Sequence, residues 1–260
     1  MLISGGLQIK KTKKPGPGLR VKKTSIVTDG LILYLDASNQ NSYGGIGTTW
    51  NDLSSSGSDA TLVNGVPFDT GNDGRFSFAD ANDYVTIPTG YTGSTWTLLI
   101  WHLNAGPTQF ANVGHRTFAC TNTMRFQWDD NASTTSARGP FVDFTAALGG
   151  GQAMYANPIA PSDIFNNWHM VGIIADTTSV KTFYNKTLGQ FSVLGSSRQF
   201  STNGTLNLGI DNLSGIGGAD AINRDGGNVY IPVCMLYNRA LTNSEIVQNY
   251  NALKGKYIGY

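Results

Sequence analysis

Apolar and polar residues alternate in short runs along most of this chain, the period of half-buried β-strands rather than helices. Residues 30–36 place Leu31, Leu33 and Leu35 on one face of a strand. Residues 60–63 run into Asn64-Gly65, a pair typical of tight hairpin turns. Strands are expected at 75–78 and 84–87, on either side of Asp80-Ala81-Asn82-Asp83. Residues 95–103 form the most apolar strand, which predicts a central position. Trp96, Leu98 and Ile100 face one side there, and Thr97, Leu99 and Trp101 the other. Residues 117–121 and 124–128 predict a hairpin about Asn122, with further strands at 140–144, 168–175, 180–185, 190–194 and 205–209.

The end of the chain departs from this period. Residues 229–237 read as a strand of β-branched and aromatic residues, interrupted by Pro232, which cannot donate to a ladder and predicts a bulge. The turn 237–241 then opens a helix with a full set of start signals. Thr242 is the N-cap, Glu245 closes a capping box, and Leu241 and Ile246 take the two positions of a hydrophobic staple. Ile246, Tyr250 and Leu253 make an apolar stripe, and Lys254-Gly255 supplies the expected stop. Many short strands and one helix predict an all-β fold, an antiparallel two-sheet sandwich with a short C-terminal helix.

Composition supports that class: 32 Gly, 11% aromatic residues and only 13% charged ones, against about 25% charged in ordinary domains. The net charge of +1 conceals an asymmetry. Lys10, Lys11, Lys13, Lys14, Arg20, Lys22 and Lys23 are seven of the 18 bases and all lie in residues 1–24, which contain no acid. The remainder carries 11 bases against 17 acids, or −6. Residues 1–27 are therefore expected to be a basic N-terminal arm, interrupted by Pro15-Gly16-Pro17-Gly18, and 28–260 a single domain. The arm reads either as a solvated tail or as an anchor that adds an edge strand to an acidic neighbour. The apolar residues Ile3, Leu7 and Ile9 beside the lysines favour the anchor. Cys120 and Cys234 stand far apart in apolar surroundings and are expected as buried free thiols, with a disulfide across the sandwich as the alternative. No apolar run approaches the roughly 18 residues of a membrane span, so no membrane insertion is expected.

Several segments resemble a known family. Residues 78–87, with Asp80, Asn82, Asp83, Tyr84 and Val85, are similar to the "F-D-G-x-N-D-Y-V" segment of laminin G-like, concanavalin A-like jelly-roll domains. Asn167-Trp168-His169-Met170-Val171 resembles that family's "N-x-W-H-x-V" strand, and Phe183-Tyr184-Asn185 its "Y-x-N-G", with Lys186 in place of the glycine. Residues 206–209 and the closing strand and helix match in the family's order. The resemblance implies a jelly-roll sandwich over about residues 28–255. Residues 30–37 and 49–54 further resemble a subset found in tailed-bacteriophage virion proteins. That implies a virion location with assembly in the host cytoplasm, and partners among capsid, neck or tail proteins.

Candidate chemistry is sparse. Jelly-roll glycosidases place two Glu on one strand, and retaining chemistry needs two carboxylates about 5–5.5 Å apart. Here Glu245 is the sole Glu and caps a helix, so no catalytic residues and no enzyme are expected. His169 reads as structural. Cofactors are not expected, although the resemblance implies a calcium site as the one metal to consider. Its oxygen ligands would come from Asp80, Asn82 and Asp83, or from Asp220, Asn223 and Asp225. Asp and Asn are also ordinary turn formers. Tyr43, Tyr91, Trp128 and Tyr155 lie near loops and are candidate glycan contacts, whereas Trp50, Trp96, Trp101 and Trp168 are expected in the core. The arm lacks interleaved aromatics and the body is acidic, so nucleic acid is not an expected partner. Two functions result: a non-enzymatic virion protein held by its arm, or a lectin-like module that binds host surface glycans.

Overall fold

The structure, a computed structural model, describes residues 24–78, 83–105, 116–129, 139–144, 152–154, 159, 163, 165–192, 198–209 and 228–258. The first sheet contains β1 (Leu31–Asp36), β4 (Phe68–Asp69), β5 (Arg75–Phe78), β7 (Trp96–Ala105), β12 (Trp168–Ala175), β13 (Val180–Tyr184), β14 (Thr187–Ser192) and β16 (Asn228–Tyr237). The second contains β2 (Thr49–Trp50), β3 (Ala60–Val63), β6 (Tyr84–Pro88), β8 (Arg116–Cys120), β9 (Met124–Asp129), β10 (Gly139–Phe144), β11 (Gln152–Met154) and β15 (Thr205–Leu208). Helix α1 spans Asn243–Tyr257.

The first sheet runs β14-β13-β12-β7-β16-β5-β4, with β1 also paired to β16, and the second β11-β10-β9-β8-β15-β6-β3-β2. The ladders are antiparallel, and the order is that of a jelly-roll sandwich. The apolar period of two explains the packing. On β7, Trp96, Leu98 and Ile100 enter the inter-sheet core with Phe76, Phe126, Val171 and Leu208. Leu99 and Trp101 point the other way, into a second core beneath α1 with Ile246, Leu253 and Tyr257. β7 and β12 are therefore apolar on both faces.

The helix start follows its sequence signals. The Thr242 side chain accepts from the Glu245 N–H, and the Glu245 carboxylate accepts from the Thr242 N–H. Leu241 and Ile246 are both buried in the core beneath the helix. The Arg239 guanidinium forks onto Glu245 at 2.6 and 3.1 Å and also meets Asp29 at 2.9 Å. That ion pair holds the Glu245 carboxyl below its ordinary 4.5, at about 2, against the opposing effect of burial. A depressed folded-state value means the stabilisation is complete above pH 4.5 and is lost as pH falls toward 2. Glu245→Gln is expected to cost about 1–2 kcal/mol at neutral pH. It should also flatten the acid decline, as read by denaturant unfolding at stepped pH; parallel declines in the two proteins would contradict the pairing.

Pro232 behaves as predicted. The β16–β7 register slips between Tyr230 and Val233. On its other edge β16 pairs with β5 up to Ile231 and with β1 from Val233 onward. The missing N–H thus falls where β16 changes partner, while the Pro232 carbonyl still accepts from Ala37 at 2.8 Å. Cys120 and Cys234 are both buried, and they form no disulfide with each other.

Four local expectations are corrected. A register shift between Leu31 and Leu33 turns Leu31 away from Leu33 and Leu35, toward the helix-side core. Asn64 and Gly65 both adopt positive φ, at 60° and 84°, yet the turn closes no hairpin. It carries the chain from β3 in one sheet to β4 in the other. The strand read at 190–194 is β14, which begins at Thr187, directly after the Asn185-Lys186 turn. Helix α1 passes through Lys254-Gly255 and ends at Tyr257. Tyr257 lies 5.0 Å from Trp101 and 5.1 Å from Trp168 between ring centroids, and this burial holds the extra turn in helix.

Candidate functional site

Where β12 begins and β13 ends, the surface opens into a cleft of about 400 Å³, within the size range of small-ligand sites. Two asparagines shape it through backbone conformations that few other residues tolerate. Asn166 has φ of 59° and its N–H donates to the Asn104 carbonyl at 2.7 Å, which ties the approach to β12 onto the end of β7. Asn185 has φ of 55°, donates from its backbone to the Met170 carbonyl at 2.6 Å, and accepts the Met170 N–H on its side-chain oxygen at 3.1 Å. The second contact extends the β12–β13 ladder with a side chain. Both asparagines are thereby placed on one rim.

Asp163, Asn166 and Asn167 are exposed there, while Trp168 and His169 are buried and Tyr184 and Asn185 half-buried. The Tyr184 hydroxyl and His169 Nδ1 share a 2.8 Å hydrogen bond, and their rings pack at 4.9 Å. His102 lies directly across the β7–β12 ladder from His169, with 5.7 Å between ring centroids. Tyr257 and Ile258, at the end of α1, close the other side. One carboxylate, three amides, an imidazole, two phenols and an indole thus meet in one concavity. Amides both donate and accept, and ring faces take C–H surface, so the set matches a polyhydroxylated ligand. It contains a single carboxylate and no Ser or Cys nucleophile among its described lining residues.

The described residues among the sites read from sequence, Tyr43, Tyr91 and Asp83, do not line this cleft. Tyr43 is not a loop contact. It is 6% exposed, with its ring 4.9 Å from both Phe68 and Phe76, because the loop folds back and buries it in the inter-sheet core. It only borders a smaller hollow of about 190 Å³ beside Gly44 and Gly45. Tyr91 is half-buried, donates to the Thr95 carbonyl at 2.6 Å and packs on Phe200, away from the cleft. Trp128 is placed on β9 opposite Pro140, with its side chain outside the described residues. Tyr155, Asp80, Asn82, Asp220, Asn223, Asp225 and the arm bases Lys10, Lys11, Lys13, Lys14, Arg20, Lys22 and Lys23 also lie outside them. Asp83 is buried just before β6. Among the described residues no cluster of three or more His, Cys, Asp or Glu is positioned to hold a metal. No helix among them is long and apolar enough to cross a membrane.

The cleft residues Asp163, Asn166, Asn167, Tyr184, Asn185 and Tyr257 were not legible as a site. Three of them stand inside the segments that resemble the laminin G-like strands, where they mark the fold. Strand pairing brings the start of β12 next to residues 184–185, and ring packing on Trp101 and Trp168 adds Tyr257.

No protein-family model matches this chain, and no curated protein matches it. Solved structures do. The botulinum neurotoxin type G receptor-binding domain is 14% identical with a TM-score of 0.61, over 85% of this chain and 51% of that one. The binding domain of Paraclostridial Mosquitocidal Protein 1 is 13% identical with a TM-score of 0.64, over 86% and 52%. The botulinum neurotoxin serotype D ligand-binding domain, in complex with N-acetylneuraminic acid, is 14% identical with a TM-score of 0.62, over 86% and 51%. The chain thus spans about half the length of these structures. At such identities the likeness establishes the β-sandwich fold. None of the three is a bacteriophage protein.

Proposed function

We propose that this chain is a non-enzymatic, lectin-like binding module whose ligand is a glycan held in the cleft between residues 163–169, 184–185 and 257–258. The observation that carries this reading is the lining itself: amides and one carboxylate on the rim, with aromatic rings behind them. Receptor-binding and ligand-binding domains among the similar structures support it. The order of the two functions read from sequence is thereby reversed. Virion attachment takes second place because its carriers are residues 1–24 and a sequence resemblance. Deleting those residues tests it: particles that still incorporate the truncated protein would end the attachment reading.

The glycan reading is tested on an oligosaccharide array and then by titration calorimetry. Asn166→Gly keeps the left-handed backbone, which glycine adopts without strain, and removes one rim amide. Affinity is expected to fall about tenfold, the equivalent of one lost hydrogen bond of about 1.4 kcal/mol. Asn64→Gly, at another position of positive φ outside the cleft, should leave affinity unchanged. An array without binding, or equal affinity for wild type and Asn166→Gly, would overturn the assignment.

A further inference from the structure

The charge around the cleft says which glycans fit. We infer that it selects neutral oligosaccharides over acidic ones, a conclusion that rests on the glycan reading above. Asp163 is the one formally charged side chain among the described lining residues, which include no Lys or Arg, and it is exposed at the rim. Two cations on the adjoining elements, Arg75 and Lys256, are engaged. Arg75, whose guanidinium lies 5.7 Å from the Trp168 ring centroid and 4.1 Å from that of Tyr230, is ion-paired to Asp69 at 2.6 Å. Lys256, two residues before Ile258, reaches back to Asp36 at 2.7 Å and Ser38 at 2.6 Å. Lys186 follows Asn185 but is solvent-exposed and is not part of the lining.

A carboxylate-bearing sugar would therefore enter beside Asp163, on a body whose residues 25–260 carry −6. It would give up water without gaining a cationic partner. Neutral hydroxyls carry no charge to strip of water, and each rim amide has both a donor and an acceptor group, of which the Asn185 oxygen is shared with the Met170 N–H and the Asn167 Nδ2 with the Phe165 carbonyl. The similar ligand-binding domain was solved with N-acetylneuraminic acid, an acidic sugar of the kind this lining is inferred to disfavour.

The experiment titrates the full chain with hexose- and N-acetylhexosamine-terminated neutral oligosaccharides. The same oligosaccharides capped with N-acetylneuraminic acid are titrated at low and at physiological salt. Neutral forms are expected to bind about tenfold tighter, with the gap widening at low salt where charge repulsion is least screened. Asp163→Lys, at an exposed position, should narrow or invert the gap. Equal or tighter binding of the capped forms by the wild type would overturn the charge inference and leave the glycan reading standing. If neither set binds, the glycan reading falls and this inference with it.

Discussion

Trp101→Ala is expected to lower stability by about 3–5 kcal/mol, the usual cost of removing a fully buried large aromatic. For a chain of this size that is a fall in Tm of roughly 10 °C. Trp101 is 0% exposed, stacks on Tyr250 at 5.6 Å and meets Tyr257 at 5.0 Å, so it joins β7 to two turns of α1. Its indole N–H has no acceptor among the described residues, which sets the expected loss toward the lower end. The consequence extends to function because Tyr257 also lines the cleft. Freed from Trp101, Tyr257 keeps Trp168 as its one ring neighbour among the described residues, and glycan affinity should fall even well below the Tm. Trp50→Ala supplies the contrast. Trp50 is equally buried but packs on Phe76 in the inter-sheet core, so its loss should destabilise without weakening binding. Thermal unfolding and calorimetric titration of the two variants side by side decide the matter. A Trp101→Ala protein with unchanged Tm, or matched affinities in both variants, would contradict this coupling between helix and cleft.

Gly172→Ala is expected to be as damaging, although it adds a single methyl group. Gly172 sits in the middle of β12, paired with Leu99 on one side and Phe183 on the other. A Cβ there would fall inside contact distance of both the Leu98 carbonyl oxygen and the Phe183 ring. The ring could turn aside, but the carbonyl belongs to the central ladder and cannot move without breaking it. Loss of soluble protein, or destabilisation of about 3 kcal/mol or more, is expected from such overpacking in a central strand. Removing the ring separates the two clashes. Gly172→Ala combined with Phe183→Leu should recover a part of the stability and no more, since the backbone clash persists. Denaturant unfolding of single and double variants reads this directly. Full recovery in the double variant would mean that the ring alone fills the space.

Much of this architecture was legible in the residues. The two-faced strand β7, the hairpin about Asn122, the capped helix and the bulge at Pro232 each arise from local chemistry: side-chain period, turn residues, capping groups and a missing donor. Where local signals misled, a longer-range term had won. Asn64-Gly65 made the turn its residues require but not the hairpin, because the apolar faces of β3 and β4 are buried in different sheets. Gly255 did not stop the helix, because ring packing of Tyr257 outweighs the small cost of a helical glycine. Tyr43 stands among polar loop residues that suggest a glycan contact, yet the loop that carries it turns its ring inward onto Phe68 and Phe76.

The class of fold, the strands apolar on both faces, the start of the helix and the absence of a paired-Glu motif can all be read along the chain, since each depends on residues close together in it. The cleft was decided only by tertiary structure. Asn166, His169, Tyr184, Asn185 and Tyr257 are spread over some 90 positions and share no local pattern. The pairing of β12 with β13 brings the first four together, and the seating of Tyr257 on Trp101 and Trp168 adds the fifth. Both contacts are formed by burial of apolar surface far from any binding motif.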